Sequence, residues 1–303
     1  MKKQTPTLRQ KIVSRILHFY PFYSGCGTVG NSLWIRKIAG ESDGVVWARL
    51  RNGKYVRAPL GDFDGRSVFY TGDCDRKITW LCQKLVRSGD VALDIGANIG
   101  LVTFTLASIV GEAGYVHAFE PNPHMQRFIT EALEYNGVTN VMLHPFALGA
   151  ENATLEMRIP IDHSGAASLI KKNKRNVTNI LVPVKPLSSV LREIESKKIR
   201  FVKIDVEGFE PQVLQGAYDA FYNNPPDIIL VELHSSSHLV DKHPTIKILR
   251  KLGYDFFSIP KNLMSVKPRY FDPEKSQYIG HDLLAAHQGE ISKEVAALVG
   301  ATN

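Results

Sequence analysis

The stretch Val91-Ala-Leu-Asp-Ile-Gly-Ala-Asn-Ile-Gly100 decides how the rest of the chain is read. Val91 to Ile95 is a short apolar run bounded by glycine, the pattern of a buried strand. A glycine-bearing loop follows, and Leu101 to Val110 reads as a helix. Glycines let the loop backbone approach a ligand closely, and the helix start offers free N–H groups.

Downstream the same alternation continues. Tyr115–Phe119 reads as a second strand, His124–Tyr135 as an amphipathic helix with Met125, Phe128, Ile129 and Leu133 on one face, and Val141–Phe146 as a third strand. Thr154–Ile159 and Ile180–Val184 flank a polar insert, Asp162–Asn179, as strands. Leu187–Ile194 and Ile246–Leu252 read as helices; Ile199–Ile204, Ile228–Leu233 and Tyr254–Ile259 read as strands. Such βαβ units predict an α/β fold with a doubly wound, mostly parallel Rossmann-like sheet and helices on both faces.

In sheets of this kind the ligand sits at the carboxyl ends of the strands, at the switch point. The dinucleotide fingerprint G-x-G-x-x-G fails twice here, with Asn98 in place of the second glycine and Leu101 in place of the third. The pattern present, D-x-G-x-N-x-G, keeps Asp94 at the strand end. The loop of Asp94, Gly96, Ala97, Asn98 and Gly100 resembles the one methyltransferases use for the amino-acid end of S-adenosylmethionine, and an acidic residue suits that cofactor's ammonium and sulfonium cations. The second strand ends in Phe119-Glu120-Pro121-Asn122. A carboxylate there suits a ribose diol, because each oxygen accepts from one hydroxyl. NAD enzymes share that contact, so Glu120 alone does not discriminate.

The chain resembles the FkbM family of methyltransferases. The residues that carry the resemblance are Val91–Gly100, Ala118-Phe-Glu-Pro-Asn-Pro123, Ala147-Leu-Gly149 and Val202-Lys-Ile-Asp-Val-Glu-Gly-Phe-Glu210, within roughly Asp90–His234. The resemblance implies a class I Rossmann-like methyltransferase that acts on a hydroxyl, usually of a sugar or polyketide-type product. It implies cofactor contacts from Asp94, Gly96, Asn98, Glu120 and the stretch around Ala147.

An alcohol is a poor nucleophile while protonated, so methyl transfer to it calls for a base or a metal. The fourth strand ends in Lys203-Ile-Asp205-Val-Glu207, where alternation would place Lys203, Asp205 and Glu207 on one side; the fifth ends in Glu232-Leu-His234. One reading makes Asp205 or His234 the general base, with Lys203, Glu207 and Glu232 around it. The less favoured reading has Asp205, Glu207, Glu232 and His234 bind a divalent cation that lowers the acceptor's pKa. Gly208 reads as a tight turn before the next helix. The histidines at 234, 238 and 243 read as part of a solvated loop.

Residues 1–87 read as an N-terminal α+β extension, 88–290 as the methyltransferase domain and 291–303 as a short tail. The extension carries strand-like pieces at Val45–Leu50 and Tyr55–Ala58 joined by an Asn52-Gly53 hairpin turn, a further strand-like or turn-like piece at Gly61–Gly65, and a helix at Ile78–Val86. Three cysteines, Cys26, Cys74 and Cys82, argue for reduced thiols and a cytoplasmic setting. No transmembrane run or signal peptide is evident, so the sequons at Asn152 and Asn176 carry no weight. The net charge of +7 concentrates in Met1–Arg87 and in Lys171, Lys172, Lys174 and Arg175. The basic and apolar segment Lys11–Tyr23 reads as a helix packed on the core rather than on a membrane surface. An RNA substrate is disfavoured: Asn224-Pro225-Pro226-Asp227 lacks an aromatic and precedes a strand. A small-molecule or glycan acceptor is expected, with a non-catalytic scaffold as the competing class. The insert, with Ser164-Gly165-Ala166-Ala167-Ser168, reads as a lid, and the insert and the extension as the seat of acceptor specificity.

Overall fold

Alternation along each strand sets the layering of this computed structural model, which describes residues 4–170, 176–192, 198–233, 240–275 and 281–301. In chain order the extension contributes α1 (Leu8–Leu17), α2 (Cys26–Gly30), α3 (Leu33–Ala39), β1 (Val45–Arg49), β2 (Tyr55–Pro59), α4 (Phe63–Thr71) and α5 (Arg76–Leu85). The remainder contributes β3 (Val91–Ile95), α6 (Leu101–Val110), β4 (Tyr115–Phe119), α7 (Pro123–Asn136), β5 (Val141–His144), β6 (Ala147–Leu148), β7 (Ala153–Pro160), β8 (Val177–Lys185) and α8 (Leu187–Leu191). Then follow β9 (Ile199–Ile204), α9 (Glu210–Asn223), β10 (Ile228–Glu232), α10 (Pro244–Lys251), β11 (Tyr254–Ser258), β12 (Arg269–Phe271), β13 (Asp282–His287) and α11 (Glu290–Val299).

The central sheet runs β12-β11-β13-β10-β9-β3-β4-β5. From β5 to β10 it is parallel, and β13 enters antiparallel between β10 and β11. This is the class I methyltransferase form of the expected doubly wound α/β fold. Val91, Leu93 and Ile95 face one side of the sheet, where Val213, Leu214 and Phe221 of α9 and Ile246 and Leu249 of α10 cover them. Ala92, Val116 and Leu230 face the other, under Leu81 and Leu85 of α5, Leu106 and Val110 of α6 and Val295 of α11. Strand order reverses between β3 and β9, and the crevice outside their carboxyl ends is the place for a ligand.

The β1–β2 hairpin pairs as the Asn52-Gly53 turn predicts. Four readings are corrected or completed. Gly61–Gly65 is not strand-like: the Asp62 carboxylate accepts from the N–H groups of Asp64 and Gly65 and caps α4, so the segment turns into a helix. The Lys11–Tyr23 helix is α1, which starts at Leu8 and ends at Leu17; Gln10 and Val13 are buried, but Leu8, Ile12, Ile16 and Phe19 are exposed. The segment after Ser292, open to a frayed tail or a short helix, is helical to Val299 as part of α11, anchored where the buried Arg200 guanidinium donates to Glu294 at 2.9 Å. Finally, β12 and β13 extend the sheet beyond Ile259, where no strand was read.

The flanks of the insert pair as the hairpin β7–β8, register Pro160↔Val177, and β6 joins β8 in a separate small sheet. The insert itself folds back as a 3₁₀ turn over Ser164–Ala166. Residues 171–175, the basic run, lie outside the described residues. None of the described helices is long and apolar enough to cross a membrane.

Candidate functional site

Two cavities open beside the β3 loop, and Gly96, Asn98, Gly165 and Asp205 line both. The first is apolar and aromatic: Phe119, Phe146, Ala147, Leu148, Met157, Leu169 and Phe209 surround Glu120 and Pro121. The second is polar and takes walls from the extension, the insert and the ends of β9, β10 and β13.

The floor is the β3 loop. Gly96 has φ +84, and a Cβ there would lie 1.9 Å from the Asp205 carbonyl oxygen, so the approach of β9 leaves room only for glycine. Asn98 is also left-handed, at φ +50, and Gly100 begins α6. Ala97 is buried and lines the polar cavity. Asp94 is fully buried and lines neither cavity: Thr103 Oγ1 donates to its Oδ2 at 2.6 Å, and Lys203 Nζ lies 3.6 Å from its Oδ1. Among the described residues, that Oδ1 is a buried oxygen without a hydrogen-bond partner. Lys203 also donates to the Gly96 carbonyl at 3.0 Å and pairs with Asp205 at 3.2 Å. Burial opposes the ammonium charge, but Asp205 and Asp94 outweigh it and hold Lys203 above its ordinary range.

Glu120 sits at the end of β4, almost wholly buried. Its Oε2 accepts from the Asn98 N–H at 2.7 Å and its Oε1 from the Asn122 N–H at 2.8 Å. Burial pushes the carboxyl up to about 7 despite those two donors. Each oxygen keeps a lone pair for an outside donor. Asn122 itself caps α7 by accepting from the His124 N–H at 3.0 Å.

Lys203, Asp205, Glu207 and Glu232 all line the polar cavity, as the strand-end pattern predicts. The route differs from simple alternation. β9 ends at Ile204, and Glu207 is left-handed at φ +55, so a turn rather than a continued strand brings Glu207 in. Gly208, at φ +102, completes that turn. Burial, then the neighbouring Asp205 carboxylate, raise Glu232 far above the usual carboxylate range, and Glu232 hydrogen-bonds Asp205. Burial beside Asp205 thus favours the neutral, proton-donating form of Glu232. His234 lies outside the described residues. Among the described residues no three His, Cys, Asp or Glu side chains converge as a metal site.

The roof holds residues that no local pattern signalled. From α4 and its surroundings come Asp64, Cys74, Asp75 and Lys77; from the insert, His163; from the far end of the sheet, Lys261, His281 and Asp282. Asp64 Oδ2 accepts from Asn98 Nδ2 at 3.0 Å, tying roof to floor. His163 Nε2 lies 3.8 Å from Asp64 Oδ1, and that carboxylate raises the imidazole above its ordinary value. Phe63 and His163 pack with ring centroids 4.8 Å apart, and Ser168 Oγ donates to the Glu207 carbonyl at 2.8 Å. Lys77 pairs with Asp282 and, at 2.6 Å, with Asp75. All three cysteines are free, and burial followed by Asp64 pushes the Cys74 thiol up.

Comparison with known proteins agrees with this geometry. Methyltransferase 1 of Beauveria bassiana is 29% identical over 162 residues, which span 48% of this chain and 64% of that protein. The hexuronic acid methyltransferase AglP of Haloferax volcanii is 26% identical over 230 residues, 71% of this chain and 88% of that protein. The crystal structure of a methyltransferase FkbM from Methylobacillus flagellatus overlays with a TM-score of 0.40 at 17% identity, covering 67% of this chain and 45% of that one. The Methyltransferase FkbM domain matches residues 94–256, more than half of the chain. With that domain spanning the β3 loop, Glu120 and the strand ends that carry Asp205 and Glu232, the chain belongs to the FkbM methyltransferase family.

Proposed function

We propose that the protein is an S-adenosylmethionine-dependent O-methyltransferase of a polyhydroxylated acceptor, such as a sugar or glycoconjugate. The observation that carries this reading is the pair of cavities meeting at Gly96, Asn98, Gly165 and Asp205. The apolar one fits the cofactor: an aromatic wall at Phe119 and Phe146 suits a purine, and the buried Glu120 suits a ribose diol. The β3 loop beside the carboxylates of the polar cavity suits the cationic amino-acid end. When bound, the cofactor supplies an electrophilic methyl group.

This chain's own residues do the rest. Asp205, at the junction of the cavities, takes the proton of the acceptor hydroxyl. Lys203 pairs with Asp205 and ties it to the loop. Glu232, holding its proton, donates to Asp205 and orients it. A positioned base of this kind is worth about 10²–10⁴-fold in rate. His234 is the alternative base. We assign the acceptor side to the extension, residues 1–87, together with the insert, and the cofactor side to residues 88–290.

The polar cavity carries six carboxylates (Asp64, Asp75, Asp205, Glu207, Glu232, Asp282) against three lysines. Carboxylates accept from hydroxyls and repel a phosphate backbone, which favours a polyol over RNA. The sugar named in the AglP relative supports the same class. The test is calorimetric titration with S-adenosylhomocysteine and with NAD, followed by transfer of labelled methyl to a panel of glycosides. Binding of the first ligand alone, with labelled ether product, supports the reading; NAD binding or labelled RNA in place of glycoside overturns it.

A further inference from the structure

We infer that α1 and α3, with the residues between them, form a docking surface for an anionic membrane, which holds the enzyme on a lipid surface. Three observations converge on that region.

The first is charge. Residues 1–40 contain seven lysines and arginines and no aspartate or glutamate, and the rest of the chain carries thirty basic and thirty acidic residues. The whole net charge of +7 therefore resides in these forty residues. The second is exposure. Leu8, Ile12 and Ile16 on α1 and Phe19 just after it are exposed, as are Leu33, Trp34 and Ile38 on α3; Phe19 is 82% and Trp34 76% accessible. Single exposed apolar residues are ordinary, but six on two helices in contact with each other, with Phe19 beside them, are not. The third is arrangement. At roughly 100° per residue, Leu8, Ile12 and Ile16 form one stripe along α1, with Arg9 on one flank and Lys11 and Arg15 on the other. Val13 and Gln10 point away from it, into the protein.

An apolar ridge with aromatic residues between basic flanks is what an interfacial helix needs: the ridge enters the acyl boundary while the cations meet phosphate headgroups. The alternatives fit less well. A second copy would bring two surfaces of the same positive charge together. A nucleic acid would satisfy the cations but leave the leucine, isoleucine and tryptophan side chains in water. The platform also bears on the site, because α1 packs on α4, whose Asp64 lines the polar cavity. The inference does not depend on the identity of the methyl acceptor.

The test is flotation of the full chain with vesicles of phosphatidylglycerol and phosphatidylcholine, and with phosphatidylcholine alone, at low and high salt. The expected result is capture by the anionic vesicles at low salt, weaker capture at high salt, and a blue shift in tryptophan emission that Trp34→Ser abolishes. Arg9→Gln/Lys11→Gln/Arg15→Gln should weaken partitioning on the order of 100-fold, since each basic residue near the surface contributes about fivefold. Ile12→Ser/Ile16→Ser/Trp34→Ser should abolish flotation and leave the thermal midpoint within a few degrees of the parent, because these side chains are exposed. The inference is overturned if the parent protein ignores anionic vesicles, if the serine variant floats as well as the parent, or if the same residues instead drive self-association in sedimentation or salt-sensitive RNA binding.

Discussion

The floor and the roof of the site are built on different terms. On the floor, Asp94, Gly96, Asn98, Glu120, Lys203 and Asp205 come from the ends of neighbouring strands, and backbone fixes part of it: Glu120 accepts from two N–H groups, Lys203 donates to a carbonyl besides pairing with Asp94 and Asp205, and Gly96 packs against a carbonyl. On the roof, Asp64 and His163 come from a helix and a hairpin turn about a hundred residues apart, and they meet the floor and each other through side chains. Backbone cannot step aside, whereas side chains can. The floor should therefore tolerate almost no change, and the roof should yield by degrees.

The comparison is sharpest at the chemistry. Asp205→Asn should lower turnover by about 10²–10⁴-fold while S-adenosylhomocysteine affinity changes little, as measured by single-turnover kinetics beside calorimetry. Equal loss of both would move Asp205 into the cofactor site, and an unchanged rate would pass the base to His234.

Next comes a matched pair of glycine substitutions. At Gly96 an added Cβ meets the Asp205 carbonyl at 1.9 Å, on a left-handed backbone. Gly96→Ala should cost about 3 kcal/mol of stability and abolish cofactor binding. At Gly165 the added Cβ meets the Asp64 Oδ2 atom at 2.1 Å, the movable end of a side chain. Gly165→Ala should cost under about 1 kcal/mol and leave the fold intact. Thermal denaturation of the two variants decides it; equal losses would break the distinction between floor and roof.

Glu120 offers a pH test. Burial raises its carboxyl from the ordinary 4.5 to about 7, so the fold disfavours the charged form, and the carboxylate appears only as pH rises through about 7. A ribose diol donates to the carboxylate, so S-adenosylhomocysteine should bind more tightly at pH 8 than at pH 6. In Glu120→Gln the affinity should fall about 10- to 100-fold and lose that pH dependence, since a hydrogen bond to a charged group is worth about 1.5–3 kcal/mol. A pH-dependent variant would place the ribose elsewhere.

The smallest effect belongs to the roof. Asp64→Asn keeps the shape but removes the charge that holds His163 above its ordinary value. The acceptor KM should rise several-fold with kcat nearly unchanged. A large fall in kcat instead would make Asp64 part of the chemistry.

How much of this was legible in the sequence follows the same division. The strands β3, β4 and β9 could be read because their residues repeat with local periods, and Glu120 and Asp205 because a strand end is itself a local feature. The helix α4 was not read because its cap, Asp62, looks like any turn residue until its carboxylate is seen to accept from two N–H groups. The strand β13 was missed because Asp282–His287 is a short apolar run whose antiparallel place between β10 and β11 depends on partners far away in the chain. Lys261, His281 and Asp282 were missed with it. Asp94 shows the limit from the other side: its position was legible, but its full burial under Thr103 and Lys203 was not.

By itself, then, the sequence determined the order of the βαβ units, the β3 loop and the carboxylates at the strand ends, because periodicity and glycine placement act over a few residues. Only the tertiary structure decided which remote side chains close the polar cavity, that Glu232 lies against Asp205, and that α1 turns its apolar stripe outward. Those outcomes rest on burial and on contacts between segments distant in sequence, which no local pattern encodes.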